Sequence, residues 1–528
     1  MLRTTLNRNK EGGVALVIVL IVLLVLSTLV ASLIFATSTE VWASANYKLL
    51  TQARYTAEAG AQATENWLVY TYTAPSAALV AADLDLTKSP VVCTAGCAAV
   101  GPVVLSSTPG ATNYPDAALA AKFPMNPQAL PGAPKDTYST TATLLSMTPS
   151  AGVSWLPGGG GTIQTWQIAS VGTINGVRNG SVQVVETIQR SGTPVFNYAL
   201  EATSTACKAI YFGGSDGADS YNSTTGPYGG TNVVASGGDL ATNGNVTLAS
   251  GAVIDGTIYD SNNVTKGACP DGITSSGSYQ GASLLPAKIN PPLPWGCASL
   301  PCYPSPLPPT TAQTLSTSTC GSISGCTYNG TTSIYDNGSK TTVNVYTLAP
   351  GDYGNVTVSN ADVVHMAAGT YNLNSLNFAK DGQIVVDSGP VVLNLAGQGF
   401  YAGNVVMNSG GLSGINLCGG GVTGNPGTYT TTTCGSGKSA FSGIPNQMQI
   451  VYAGNASIST TGAPFAAVIY APNAPVAETG GAVGFYGSVV CSTFNESSKA
   501  PFHYDNSLKT TVIQAGPYHV TGFSWSKF

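Results

Sequence analysis

Chemistry that makes or breaks bonds in water draws on carboxylates, imidazoles, thiols and amines, and this chain is sparing with them. Of its 528 residues 8% are charged and three are histidine, His365, His503 and His519. From Ser316 to Leu508 the acids are Asp336, Asp352, Asp362, Asp381, Asp387, Glu478, Glu496 and Asp505. They stand singly, in turn contexts such as PGDYG and AKDG, where aspartate is expected for hydrogen bonds to nearby backbone. A lyase or glycosidase needs paired carboxylates, or calcium with a strong base, so the spacing argues against an enzyme and gives no catalytic residue. The histidines show no ligand spacing, and neither a metal nor a cofactor follows from them. His503 and Asp505 are the pair to watch. On a strand, residues i and i+2 share a face, where they could hydrogen-bond, bind a cation, or cap the last turn of the fold.

The eleven cysteines take their meaning from the N-terminal stretch GGVALVIVLIVLLVLSTLVASLIFA. From Val14 through Ile18, Leu24 and Phe35 to Ala36 it carries no charge, and as a helix rising about 1.5 Å per residue it is long enough to cross a bilayer core of roughly 30 Å. Arg3, Arg8 and Lys10 precede it against Glu11 alone, so the positive-inside bias holds the short N-terminus in the cytoplasm and sends the body outward. A cleaved secretory signal would have a shorter apolar core and an adjacent small-residue site. Instead the apolar pattern continues through Val41, Trp42, Leu49, Ala53, Ala57, Ala61 and Trp67 near helical spacing, which predicts one helix of roughly 85 Å from Val14 to about Val69.

In an exported chain eleven cysteines imply oxidised pairs rather than a metal cluster. The close neighbours are Cys93 with Cys97, Cys297 with Cys302, Cys320 with Cys326, and Cys418 with Cys434. Cys207, Cys269 and Cys491 are left over, and the odd count leaves at least one thiol free or intermolecular. A zinc set would need its CTAGC and CASLPC pairs close together or a nearby histidine, and has neither. The net charge of −5, with no arginine beyond Arg190, argues against nucleic acid and against bidentate capture of phosphate.

The basic leader ending in glycine, the apolar helix with an amphipathic second half, and the run ARYTAEAGAQATENWL resemble the N-termini of PilX-type minor pilins and the K-type pseudopilins of type II secretion. The resemblance covers about the first 70 residues. It implies cutting by a prepilin peptidase between Gly13 and Val14, an inner-membrane stage before assembly, and packing against other pilins or pseudopilins through the helix. Most pilins carry glutamate at the fifth mature position, where it meets the amine of a neighbouring subunit. Ile18 stands there instead, which disfavours a bulk shaft subunit.

The body reads as mainly β. Residues 71–161 are rich in Ala, Pro, Ser and Gly and predict loops and short elements, and Thr162 to Arg190 alternates around INGVRNG as an antiparallel hairpin, so that 71–195 forms a small pilin-like head. From Phe196 a period of twenty emerges: Val356 and Val358 recur as Leu376 and Phe378, Val364 and Met366 as Ile384 and Val386 with Val406 twenty further on, and Phe465 and Ile469 as Phe485 and Val489. Such a period predicts a right-handed parallel β-helix, whose coils must stack to bury their apolar sides, in two pieces, 196–281 and 316–528. A sandwich is the alternative. The Pro-rich segment 282–315 and the Gly/Thr-rich loop 410–443 read as insertions.

The body, too, resembles the extracellular domain that follows PilX-type N-termini, in ADSYNSTTGPYG, VIYAPNAPV, VGFYGSVV and PFHYDNSL. Such domains are read as β-helices with no assigned reaction. Together these features lead us to expect a minor subunit of a type IV pilus or related filament, at or near the tip. It would present its ectodomain for adhesion, with a surface or carbohydrate ligand, or for assembly. The rivals are a tethered β-helical carbohydrate-active enzyme and an adhesin without a filament.

Overall fold

The computed structural model describes residues 11–72, 83–108, 110–114, 123, 128–149, 153–156, 162–176, 179–215, 217–226, 228–260, 273–285, 287–336, 339–359, 362–378, 383–409, 414–416, 444–460, 465–478, 484–497 and 499–527. The N-terminal helix runs unbroken from Glu11 to Tyr70, as the apolar pattern predicts. The chain then divides into two compact units. One comprises Met1–Pro149, Thr162–Ser191 and Pro517–Phe528, the other Ser150–Gly161 and Gly192–Gly516. The boundaries differ from the expected ones at the end of the chain, where the last strand belongs to the first unit.

In the first unit the helix buries Ala53, Thr56, Ala57, Ala61, Thr64, Trp67 and Leu68, a stripe at three- and four-residue spacing. The stripe faces a sheet whose strands run in the order Ile513–Lys527, Gly180–Pro194, Thr162–Ile174, Ala133–Pro149, Val104–Ser106. The hairpin forms as its alternation predicts, with Trp166 opposite Ile188 and Gly172 opposite Val182. Close approach of helix and sheet rests on glycine: a methyl group on Gly172 would lie 2.2 Å from the Ala53 carbonyl oxygen and 2.4 Å from the Ala57 nitrogen. The expectation of only loops and short elements before residue 161 is corrected by Ala133–Pro149, a 17-residue strand. Its buried positions include Thr140, Ala142 and Leu144, two of them too small or polar to register as an apolar alternation.

The second unit is built on parallel pairing, and the twenty-residue period is its register. Val356 pairs with Leu376 and Val358 with Phe378; Val364 pairs with Ile384 and Met366 with Val386; Phe465 pairs with Phe485 and Ile469 with Val489. Three series of strands recur in turn. The first leads from Val363–Met366 through Gln383–Val386 to Gly414–Asn416. The second leads from Ala312–Leu315 through Val356 and Leu376 to Val405–Ser409 and Ser457–Thr460. The third leads from Tyr371 through Val391–Leu395 to Met448–Tyr452. The long strands Phe465–Glu478 and Phe485–Glu496 pass from one series to another. Inward side chains stack on like neighbours, as where the rings of Phe465, Phe485 and Phe502 lie 5.5 and 4.8 Å apart.

Three expectations are corrected here. Val406 does not continue the twenty-residue spacing, because Leu376 pairs with Met407, thirty-one residues on. The stretch 410–443 is not wholly an insertion, since Gly414–Asn416 is a strand of the first series. The two ladder pieces do not stack in chain order. The early strands Leu200–Ala202, Ile210–Phe212 and Ala218–Tyr221 pair onto the late strands Phe485–Glu496 and Phe502–Asp505, so the earlier segment extends the end of the later one. The proline-rich segment lies as an extended strap, with Tyr470 donating to the Pro292 carbonyl at 2.6 Å and Gln398 to that of Pro308 at 2.7 Å. Its last residues, Ala312–Leu315, join the second series.

Candidate functional site

Two regions bear on function. The first is the helix before it meets the sheet. No described residue from Val14 to Lys48 is buried; Ile18 is 55% exposed, Leu24 66% and Phe35 75%. A surface this apolar on every side must be covered by lipid or other apolar helices. Gly13 lies within the helix, immediately before Val14.

The second region surrounds the watch pair. His503 and Asp505 share a strand but do not bond each other. His503 Nδ1 meets Asp219 Oδ1 at 2.6 Å, and Asp219 is its register partner on the neighbouring strand. Tyr228 donates to Asp219 Oδ2 at 2.6 Å, and its ring lies 3.7 Å from the imidazole, with Tyr486 on a further strand at 4.7 Å. Burial, together with the nearby Asp219 carboxylate, raises the Tyr486 phenol to about 12. Asp505 is fully buried and accepts from the Ser223 and Ser507 amides at 3.0 Å each and from their hydroxyls at 2.6 and 2.9 Å. This arrangement fastens the 222–236 loop over the ladder and leaves the Asp505 carboxylate spent. Asp219, Tyr228 and Tyr486 were not foreseen: Asp219 lies 284 residues from His503, and no local spacing records that contact.

The other histidines are apart from this cluster. His365 Nδ1 meets Asp387 Oδ1 at 2.7 Å, and His519 is exposed on the last strand. Among the described residues there is no group of three or more metal-capable side chains. Cys93–Cys97, Cys297–Cys302 and Cys320–Cys326 are disulfide-bonded, whereas Cys418 and Cys434 lie outside the described residues. Cys207, left over by spacing, is also oxidised, and Cys491 is a buried free thiol.

Not all acids are singletons in turns. Glu478 and Glu496 are register partners on adjacent strands, both buried, and burial followed by the neighbouring Glu496 charge holds the Glu478 carboxyl well above the ordinary range. Glu201, flanked in register by Val490 and Ala241, is pushed up to about 7 by desolvation. At 4% and 0% exposure the Glu478 and Glu496 side chains do not present a carboxylate pair to a substrate. Their effect is on stability. A carboxyl whose proton affinity rises on folding stabilises the fold fully below the unfolded value near 4.5, and that contribution is lost as pH rises through the folded value. The second unit is therefore expected to lose roughly 2–3 kcal/mol through Glu201 between about pH 5 and about pH 8, with Glu201→Gln flattening the slope. Chemical denaturation at the two pH values checks this, and a stability that rises with pH through Glu201 contradicts it.

The helix defines a class. Residues 12–62 match the PilX N-terminal family, the resemblance expected from the basic leader, the apolar helix and the run ARYTAEAGAQATENWL. Residues 341–511 match a domain of unknown function (DUF7305). No curated protein matches the chain. Among solved structures the chain is matched with the competence-associated pilin ComZ from Thermus thermophilus, at 12% identity and a TM-score of 0.28 over 91% of this chain and 98% of that one, too loose a superposition to carry an argument.

Proposed function

We propose that this protein is a minor, pilin-like subunit of a type IV pilus or related secretion filament, placed at or near the tip. Its parallel ladder is read as a right-handed β-helix serving as an ectodomain for adhesion or assembly, with a structural rather than catalytic role. The observation that carries the reading is the coincidence of the PilX N-terminal match with a helix uncovered from Val14 to Lys48. Such a helix suits the inner membrane first and the apolar core of a filament afterwards, with other pilins as its partners. The three recurring strand series and the twenty-residue register support the β-helix, because coils of that period bury their apolar sides only by stacking.

Processing by a prepilin peptidase is the first consequence. Mass spectrometry of the assembled protein is expected to find Val14 at its N-terminus. An intact Met1, or a start near Thr37 or Asn46, rejects the filament reading in favour of a plain anchor or a cleaved secretory signal.

A further inference from the structure

Among the described residues, the chain's own segments lie over two of the three strand series. Over the first, the 222–236 loop is held by Tyr228 on Asp219 and by Ser223 on Asp505. Over the third, the proline-rich strap is held by Tyr470 on Pro292 and by Trp295 on Asn394. The second series differs. Its outward column runs in register from Thr357 to Asn377, Asn408, Ser459, Ala477 and Asn495, and then to Tyr211 on the early strand Ile210–Phe212. Every member is half-buried or exposed, and none is charged. Among the described residues, no hydrogen bond engages the side chains of Thr357, Asn377, Asn408, Ser459 or Asn495; Asn377 and Asn495 are exposed and the other three half-buried. At the Tyr211 end of the column the Lys208 ammonium lies 5.1 Å from the centre of the ring.

We propose that this column is the binding face for an extended, neutral, β-linked polysaccharide whose chain runs across the strands. Successive strands present one donor or acceptor group about every 4.8 Å. An equatorially linked hexopyranose chain advances by nearly that length per sugar, so a sugar meets a fresh amide or hydroxyl at each strand except that of Ala477. Charge decides the class: with a single ammonium at its Tyr211 end and neither arginine nor carboxylate among its members, the column consists mainly of amides and hydroxyls, which satisfy neutral sugar hydroxyls. Tyr211 provides an aromatic edge against which a pyranose can lie. The inference rests on the adhesive reading above and names its ligand class.

The test uses the full-length protein in detergent micelles, with cellulose and chitin particles and soluble cellohexaose as probes. Retention on cellulose or chitin is expected. The double variant Asn377→Ala/Asn495→Ala should bind about tenfold more weakly with an unchanged melting temperature, since two outward hydrogen-bonding groups are removed without touching the core. Asn377→Asp/Asn495→Asp keeps the shape, adds charge, and should weaken binding further. Failure of the parent protein to bind either neutral glycan, equal binding by the alanine variant, or retention on alginate alone overturns the assignment. Filament incorporation is scored separately by labelling. Glycan binding by a protein absent from filaments upholds this face and rejects the pilus reading; incorporation without glycan binding does the reverse.

Discussion

Asp505→Ala is expected to destabilise the second unit by about 3–5 kcal/mol, because it strips a fully buried carboxylate that accepts four hydrogen bonds. Two of the donors are the backbone amides of Ser223 and Ser507, which cannot turn elsewhere. Serine hydroxyls can rotate, so Asp505→Asn should recover about half of the loss, its remaining oxygen still accepting and its amide donating to a reoriented hydroxyl. Because the chain has two units, hydrogen exchange in the strand Phe502–Asp505 is a better measure than a single melting curve. If the alanine variant exchanges there at the parent rate, the carboxylate is not what fastens the loop to the strands.

Antibody raised against the ladder is expected to place gold at one end of sheared filaments and not along them. A shaft subunit must register its helix with those above and below, and the glutamate that does so in most pilins is replaced here by Ile18. An amine at Val14 of an adjoining subunit would then stand without its carboxylate in an apolar core, which is costly. Bulk adds to this, since the 192–516 segment alone is larger than an ordinary single domain and would crowd every turn of a tight spiral. Gold distributed along the shaft rejects the tip position, and gold absent from filaments supports an anchor that never polymerises.

What the sequence made legible was whatever repeats or is chemically extreme. The uncharged run from Val14 to Ala36 announces its helix by composition alone, and the paired valines and phenylalanines at twenty-residue spacing fall opposite each other in the ladder. The period fails at Val406 because the register partners Leu376 and Met407 are thirty-one residues apart, and a fixed spacing has no means of absorbing that excess. The strand Ala133–Pro149 escaped because its inward side is partly made of Thr140 and Ala142, which fit beside the helix by being small. The His503 cluster was hidden for a different reason. Its partner Asp219 is brought in by the reversed order of stacking, so contacts at the site follow from the topology rather than from neighbours in the chain. Spacing offered His503 and Asp505 to each other, whereas His503 is engaged by Asp219 and Asp505 by Ser223 and its near neighbour Ser507.

The last strand of the chain gives the first unit a distinctive order of completion. Ser191 donates to the carbonyl of Pro517, 326 residues away, so the sheet begun beside the helix is closed only after the whole ladder has been delivered. Until then the strand Gly180–Pro194 has one edge open, and closing it carries the entropy of a very long loop. An open edge of that length invites pairing with other chains. A ladder that forms promptly shortens the effective loop, because within it the Val195 amide donates to the Val512 carbonyl and brings its two ends together. Folding of the inserted unit is thus a step in finishing the unit that carries the anchor, and a chain whose ladder stalls would remain unfinished at its membrane end as well.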